Sequence, residues 1–202
     1  GVWAAAEHVR SFCAKVDVYS GSDVMWNSRL VDDVYLRKLF VTHDFKRVEG
    51  EAVPMPDIGA YDLVIVTDFG HGLMSKEMIE KVTREARFLA INAQTSSTNY
   101  GFNLITKYPR ADFVVVDELE ARLAAHDKVS EIEDVILELG FNKIIVTRGT
   151  QGAVGFDGAF ERHGALTNKV VDTMGAGDAF LAVTSPFAAI GVSMKDLIRI
   201  GN

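Results

Sequence analysis

The sequence is poor in cysteine, in basic charge and in long apolar runs. Cys13 is the single cysteine among 202 residues, which excludes an internal disulfide and a thiolate metal cluster. The formal net charge of -7 argues against a broad nucleic-acid-binding surface. Charged residues interrupt every apolar run well before the roughly 18 residues that a membrane-spanning helix needs. These absences predict a cytoplasmic protein with neither a nucleic-acid partner nor a membrane partner.

What the sequence does contain is a series of short apolar runs, most of them followed by a helical pattern. Such continuous β-branched runs are typical of strands that are covered on both faces. The order of elements therefore predicts an α/β fold, a doubly wound and mostly parallel sheet flanked by helices. A hairpin around residues 157–158 and a short strand at 16–19 are also predicted. The main strands are predicted at 63–66, 88–92, 113–116 and 143–147.

The most informative motif is the run of seven residues at 172–178. The small residues Gly175, Ala176 and Gly177 allow the backbone to approach a ligand closely. The helix that follows directs its first N–H groups and its dipole at the same place, which suits an anion. Asp178 lies in the first turn, where a carboxylate can accept the proton of an attacking hydroxyl. A glycine-rich turn with an ordinary capping acid is the structural alternative.

This motif and its flanks (Asp-Thr-Met-Gly-Ala-Gly-Asp-Ala-Phe) resemble the second signature of the ribokinase-like, PfkB-type carbohydrate kinases. Among these, the heptose-phosphate-type sugar kinases are the most similar. The resemblance implies ATP-dependent phosphoryl transfer to a hydroxyl of a sugar or sugar phosphate, with ATP and Mg²⁺ as cofactors. It implies that Asp178 is the catalytic base and that Gly175, Ala176 and Gly177 form the anion hole. Val183 departs from the small residue that is usual there, which we expect to alter helix packing.

A second stretch, following the strand at 143–147, is similar to the nucleotide-contacting strand end of the family. The resemblance assigns nucleotide binding to Thr147, Arg148, Gly149 and Gly152. From the residues alone, a threonine followed by spaced glycines indicates a strand-to-hairpin turn equally well. Arg148 is either a phosphate ligand or a solvated arginine.

A third stretch places Asp117 and Glu120 where the family carries an Asn-x-x-Glu motif, whose glutamate organises magnesium and phosphate. Two carboxylates can hold Mg²⁺ through water. Asp117 cannot donate a hydrogen bond to phosphate as the usual asparagine would. An N-cap aspartate with a glutamate three residues later also forms a capping box. The two roles are compatible with each other.

Polar residues at two further strand ends are candidates for contact with the substrate. In open α/β sheets ligands bind beyond the carboxyl ends of the strands, which directs attention to Asp68 and Asn92. The Asp-Phe-Gly at 68–70 also occurs in protein kinases, but the other protein-kinase motifs do not accompany it. It looks more like the Asp-Tyr-x-x-Gly strand end of the heptose-phosphate-type sugar kinases.

The resemblance covers most of the chain, which reads as one partial ribokinase-like kinase domain over 1–202. The segment 28–47 is β-rich and is predicted to be the family's lid over the sugar. The resemblance predicts that the family's first strands and closing helices are missing from this chain, so that it is inactive alone and self-associates into a homo-oligomer. A non-catalytic, kinase-like module that binds nucleotide, sugar or a partner is the second hypothesis.

Overall fold

The computed structural model describes residues 1–20, 24–31, 38–46, 56–96, 99–166 and 175–202. These residues form two compact units. The smaller unit is Tyr19–Pro56, and the larger one combines Gly1–Val18 with Asp57–Asn202. No helix among the described residues has the length and apolar character required to cross a membrane.

The smaller unit contains two antiparallel strands, β1 (Val24–Val31) and β2 (Lys38–Lys46). Their register pairs Val24 with Lys46 and shifts between Leu30 and Val31. Of the predicted β-rich segment 28–47, residues 28–31 and 38–46 lie in these strands, and the rest lies outside the described residues. The role of the segment as a lid stays a prediction.

The larger unit is built on a six-stranded sheet in the order β3-β4-β5-β6-β7-β8. The first four strands are parallel and the last two run antiparallel to their neighbours, which makes the sheet mostly parallel. The strands are β3 (Val64–Asp68), β4 (Leu89–Ala93), β5 (Phe113–Asp117), β6 (Ile144–Thr147), β7 (Ala153–Phe156) and β8 (Phe160–His163). The helices are α1 (Val2–Arg10), α2 (Lys76–Glu85), α3 (Glu118–Ala125), α4 (Ile132–Leu139), α5 (Ala176–Ala189) and α6 (Met194–Gly201).

Helices cover both faces of this sheet, as the continuous apolar strands predict. Alternate strand residues such as Ile91, Val114 and Val146 form one core with α2, α3 and α4. The residues between them, such as Ala90 and Val115, form a second core with α5 and α6. Helix α1 adds a small third cluster against α5. The predicted α/β class with flanking helices is confirmed.

The predicted strand at 16–19 is wrong, because residues 15–20 form no regular secondary structure. Side chains hold this segment in place. The hydroxyl of Tyr61 donates to Asp17 Oδ2 at 2.7 Å, and the Lys15 ammonium lies 2.8 Å from the same oxygen. Local β propensity is a weak predictor where such side-chain contacts compete with strand pairing.

Candidate active site

The face of the sheet that packs against α5 and α6 collects polar side chains at the carboxyl ends of three strands. Successive side chains of a strand point to opposite faces. Each of three strand-end residues lies two positions after a residue of the core under α5 and α6. The pairs are Ala90 and Asn92, Val115 and Asp117, and Ile145 and Thr147. Register pairs Asp117 directly with Thr147. The predicted strand-end residues at 92, 117 and 147 therefore share one face.

The glycine loop leads into α5 on that same face. Gly175 is the N-cap of the helix and adopts φ +76°, a left-handed conformation that favours glycine. A Cβ added at Gly175 or Gly177 would meet no atom of the described residues within 4 Å, so that part of the chain leaves space beside both glycines. Open space at a helix N-terminus suits an anionic ligand. The preceding signature residues 172–174 lie outside the described residues.

Asp178 is the third residue of α5 and is 5% exposed. Its Oδ1 accepts a hydrogen bond of 2.6 Å from Gln94 Nε2. Burial raises the pKa of Asp178 above its ordinary value, and the Gln94 hydrogen bond opposes that rise. The site therefore contains a buried, oriented carboxyl group next to the open glycine loop.

Gln94 follows β4 directly and was not predicted from the sequence. The predicted strand ended at Asn92, whereas β4 continues to Ala93. The residue just beyond the strand is therefore Gln94, and its side chain reaches α5. A strand boundary placed one residue later would have indicated it, since ligand-facing residues follow the carboxyl end.

Asp117 and Glu120 form the predicted capping box at the start of α3. Glu120 N–H donates to Asp117 Oδ1 at 2.7 Å, and Asp117 N–H donates to Glu120 Oε2 at 2.9 Å. The second carboxylate oxygen of Glu120 accepts from Thr95 N–H at 2.9 Å. Burial, with the charges of Asp117 and Asp178, raises the pKa of Glu120 to about 7. Thr95 and its sequence neighbour Gln94 thus bond to Glu120 and Asp178 respectively, which brings the two acids into one site.

The described residues contain no group of three or more histidine, cysteine or acidic side chains that could hold a metal ion. Mg²⁺ in nucleotide sites keeps several waters and uses one or two carboxylates together with substrate phosphates. Asp117 is exposed and Glu120 is 8% exposed, so this pair fits a water-mediated Mg²⁺ site. The pair does not fit a site built from protein ligands alone.

The predicted nucleotide-binding stretch begins at the end of β6. Thr147 Oγ1 lies 3.5 Å from the carbonyl oxygen of Val116. Arg148 Nε donates to Glu118 Oε2 at 2.8 Å, so its guanidinium is ion-paired within the protein. Gly149 starts a single 3₁₀ turn with φ +55°, and a Cβ there would meet no described residue within 4 Å. Arg148 is thus half of a partly buried ion pair, and phosphate contact by this residue stays a prediction.

Gly152 has a packing role of its own. Its φ is +86°, and an added Cβ would lie 2.0 Å from the carbonyl oxygen of His163. Any side chain here would collide with the backbone that follows β8. This close approach is sufficient to explain the glycine without a ligand, and nucleotide contact at Gly152 stays a prediction.

We expect Gly152→Ala to destabilise the fold more than Gly158→Ala does. Both glycines have positive φ, but a Cβ at Gly158 would meet none of the residues that the structure describes within 4 Å. Backbone strain is therefore common to both variants, and the clash affects Gly152 alone. We expect Gly152→Ala to lower the free energy of unfolding by about 2 kcal/mol more than the control does. Urea unfolding of both variants measures this difference, and equal losses would contradict the predicted clash.

Asp68 lies at the end of β3, on the opposite face from Asp178. It shares that face with Val66, which packs in the core under α2. Asp68 Oδ2 accepts from the Tyr108 hydroxyl at 2.7 Å and is ion-paired with Lys107, while Oδ1 accepts from Gly70 N–H at 2.9 Å. Asp68 is 3% exposed, and its carboxylate is committed to these internal partners. Substrate contact by Asp68 stays a prediction that these bonds do not support.

Asn92 is 2% exposed and lies on the α5 face of β4. Its Nδ2 donates to the carbonyl oxygen of Val115 at 2.8 Å, which ties β4 to β5 through a side chain. Its Oδ1 is buried and has no hydrogen-bond partner among the described residues, and the same holds for Thr95 Oγ1. Buried acceptors without partners are rare, and ligand sites are one of the places where they occur. Substrate binding by Asn92 therefore stays a prediction.

Comparison with known protein families identifies the family of this chain. The profile of the pfkB family carbohydrate kinases matches residues 42–202, most of the chain. The chain belongs to the pfkB family of carbohydrate kinases. The match includes the glycine loop, Asp178, the capping box of α3 and the turn after β6. The predicted resemblance is confirmed at the level of the family.

Two curated relatives of this pfkB family chain are a heptose 7-phosphate kinase and a bifunctional protein. The D-beta-D-heptose 7-phosphate kinase of Bordetella bronchiseptica is 27% identical over 154 residues, which cover 72% of this chain and 47% of that protein. The bifunctional protein HldE of Campylobacter concisus is 27% identical over 146 residues, covering 69% of this chain and 30% of that protein. The pfkB chain thus spans less than half the length of either relative.

The pfkB family chain also shares its fold with solved sugar kinases. Ribokinase of Arabidopsis thaliana, complexed with ribose and ATP, aligns with a TM-score of 0.56 at 16% identity. The alignment covers 71% of this chain and 48% of that one. The ribokinase-like architecture predicted from the sequence is therefore confirmed.

Proposed function

We propose that this protein transfers the γ-phosphoryl group of ATP to a hydroxyl of a sugar or sugar phosphate. The observation that carries the proposal is the placement of Asp178. Its buried carboxyl group, oriented by Gln94, lies in the first turn of a helix whose N-terminal glycines have space beside them within the described part of the chain. A base next to an anion-binding helix end is what in-line phosphoryl transfer to a hydroxyl requires.

In this proposal each part of the site has one task. Asp178 accepts the proton of the attacking hydroxyl, whose oxygen forms the new bond to phosphorus as the bond to the ADP oxygen breaks. The N–H groups of Gly175, Ala176 and Gly177 stabilise the negative charge on the transferring group. Thr147, Arg148, Gly149 and Gly152 contact the nucleotide. Membership of the family supports these assignments, and the shared face of Asn92, Asp117 and Thr147 is consistent with them.

Magnesium belongs to the same proposal. Glu120 and Asp117 would hold Mg²⁺ through water. Bound there with the nucleotide, Mg²⁺ would neutralise phosphate charge during transfer. The capping bonds of both carboxylates orient them before any ion binds.

The acceptor is proposed from the relatives. The Bordetella relative is named for a heptose 7-phosphate substrate. We therefore propose a sugar phosphate as the first acceptor class to test, and the ATP-rich cytoplasm as the place of reaction. Self-association stays a prediction, which size-exclusion chromatography with light scattering would test.

A phosphorylation screen tests this function directly. The intact protein, rather than the present chain alone, is incubated with ATP and Mg²⁺ against panels of free sugars and sugar phosphates, and ADP release is measured. We expect ADP release that depends on one acceptor class and on Mg²⁺, with the phosphorylated product detected by mass spectrometry. ADP release without an acceptor is the background control. ATP binding with no acceptor-dependent turnover across both panels would contradict the proposal.

One observation favours a non-catalytic, kinase-like module as the second candidate. Asp117 stands where the family usually has asparagine. Burial of Glu120, together with the negative charge of Asp117, raises the pKa of Glu120 to about 7. A glutamate that is partly protonated near neutrality holds a cation less well than an ionised one. Calorimetric titration with ATP, in the presence and absence of Mg²⁺, separates the candidates. Saturable binding without turnover is the expected result for the module.

A further inference from the structure

The carboxylate of Asp178 does not make the contact that its position in the helix favours. An acid at the third helical position commonly reaches back to the N–H of the N-cap residue. Glu120 does this in α3, where it accepts from Asp117 N–H at 2.9 Å. Among the described residues, Asp178 in α5 instead takes its hydrogen bond from Gln94, 84 positions away in the sequence. The two helices thus use the same position in different ways.

Both backbone polar groups of Gln94, its N–H and its carbonyl oxygen, are hydrogen-bonded. Its N–H donates to the carbonyl oxygen of Asp68 at 2.8 Å. Its carbonyl oxygen accepts from Asn103 Nδ2 at 3.1 Å, and the same Nδ2 donates to the Asp68 carbonyl oxygen at 2.9 Å. Asn103 is 4% exposed, and its Oδ1 accepts from Lys107 Nζ at 2.6 Å. The backbone of Gln94 is therefore tied to the end of β3 by a buried, charge-assisted network.

This arrangement leaves one oxygen of Asp178 for chemistry. The bond from Gln94 Nε2 occupies Oδ1 and restricts rotation of the carboxylate. The other oxygen, Oδ2, makes no hydrogen bond within the described part of the chain. A general base has to lie within hydrogen-bond reach of the proton that it removes, and a misplacement of about 1 Å can cost about a hundredfold in rate.

We propose that Gln94 is a positioning residue for Asp178, holding Oδ1 so that Oδ2 faces the acceptor hydroxyl. This inference rests on the proposed phosphoryl transfer. Gln94 itself does not touch the reacting atoms and exchanges no proton. Its effect is confined to the orientation of the base, so its loss changes turnover rather than the binding of either substrate.

The first test is a double-mutant cycle with Gln94→Met and Asp178→Ala. Methionine keeps the length of the side chain but removes the donor. We expect Gln94→Met to lower kcat about tenfold to a hundredfold while KM for ATP and for the acceptor stays unchanged. In the Asp178→Ala background, Gln94→Met is expected to change kcat no further, because Gln94 acts through Asp178. An unchanged kcat in the single variant, or an equal loss in both backgrounds, would overturn the inference.

Asn142→Met is the matched control. Asn142 is exposed and lies before the amino end of β6, away from the carboxyl edge of the sheet. The same replacement of an amide by methionine is expected to leave kcat and both KM values unchanged there. A loss equal to that of Gln94→Met would show that the substitution acts through general destabilisation and would overturn the assignment.

A second test needs no turnover and no Gln94 variant. In the NMR spectrum, the side-chain N–H of Gln94 that is bonded to a carboxylate is expected downfield of an ordinary glutamine amide. Asp178→Ala should remove that shift. An unaltered Gln94 amide resonance would overturn the positioning role even in an active enzyme. A wild type that phosphorylates no acceptor, but shows the shift, would contradict the proposed function alone.

Discussion

Asp178→Asn is expected to lower kcat about a hundredfold to ten-thousandfold. Asparagine has nearly the shape of aspartate and still offers Oδ1 to Gln94 Nε2, so the contact between the strand end and α5 survives. It cannot accept the proton of the attacking hydroxyl, and the loss of a general base typically costs this much. Initial rates with the preferred acceptor measure the effect, and calorimetry is expected to show that ATP affinity is retained.

Asp157→Asn is the control for this substitution. Asp157 is exposed in the turn between β7 and β8, so removal of its charge is expected to leave the rate unchanged. If Asp178→Asn kept a rate within about threefold of the wild type, Asp178 would not be the base. A comparable loss in both variants would point to the change in net charge instead.

Lys107→Met is expected to cause the largest loss of stability. Asp68 is 3% exposed and is ion-paired with Lys107, which also donates to Asn103 Oδ1. Methionine fills the volume of lysine but leaves the Asp68 carboxylate without its cation in a buried place. Removing one partner of a buried ion pair typically costs several kcal/mol, and we expect a loss of about 4 kcal/mol in the free energy of unfolding.

Two further variants separate charge from general effects at Lys107. Lys76→Met removes a lysine whose side chain is 85% exposed and 4.0 Å from Glu80, and is expected to change stability by less than about 0.5 kcal/mol. The double variant Lys107→Met with Asp68→Asn removes both charges and should recover part of the loss. Urea unfolding measures all of them. No recovery in the double variant would indicate that packing by the lysine stem, rather than the ion pair, provides the stability.

The buried network around Asp68 also marks the limit of what the sequence predicts. Apolar runs and capping residues are local, so the strands, α3 with its capping box and the layered fold follow from them. Tyr108 and Asn103 meet Asp68 only because the chain between β4 and β5 returns to the end of β3. Strand-end position made Asp68 a substrate candidate, but side-chain alternation places it on the other face from Asp178.

The candidate site shows the same division between local and long-range information. The glycines and Asp178 are adjacent in the sequence, and their pattern alone indicated an anion-binding helix end with a base. Gln94 contributes through a contact between distant parts of the chain, and no spacing rule connects it to Asp178. At Gly152, the sequence motif predicted nucleotide contact. A long-range packing contact also requires glycine there, because a side chain would collide with the His163 carbonyl group.

The burial of the central strand β5 determines which backbone amides exchange only on global unfolding. Val114, Val115 and Val116 are 0% exposed and lie between two paired strands, with helices over both faces. Water reaches their amides only when the sheet itself comes apart. Hydrogen–deuterium exchange at these three amides should therefore report global unfolding, whereas the amides of Gly175 and Ala176 at the mouth of the site should exchange from the intact fold. A ligand bound at that mouth would slow the second group directly, and would slow the first only as far as it stabilises the whole domain.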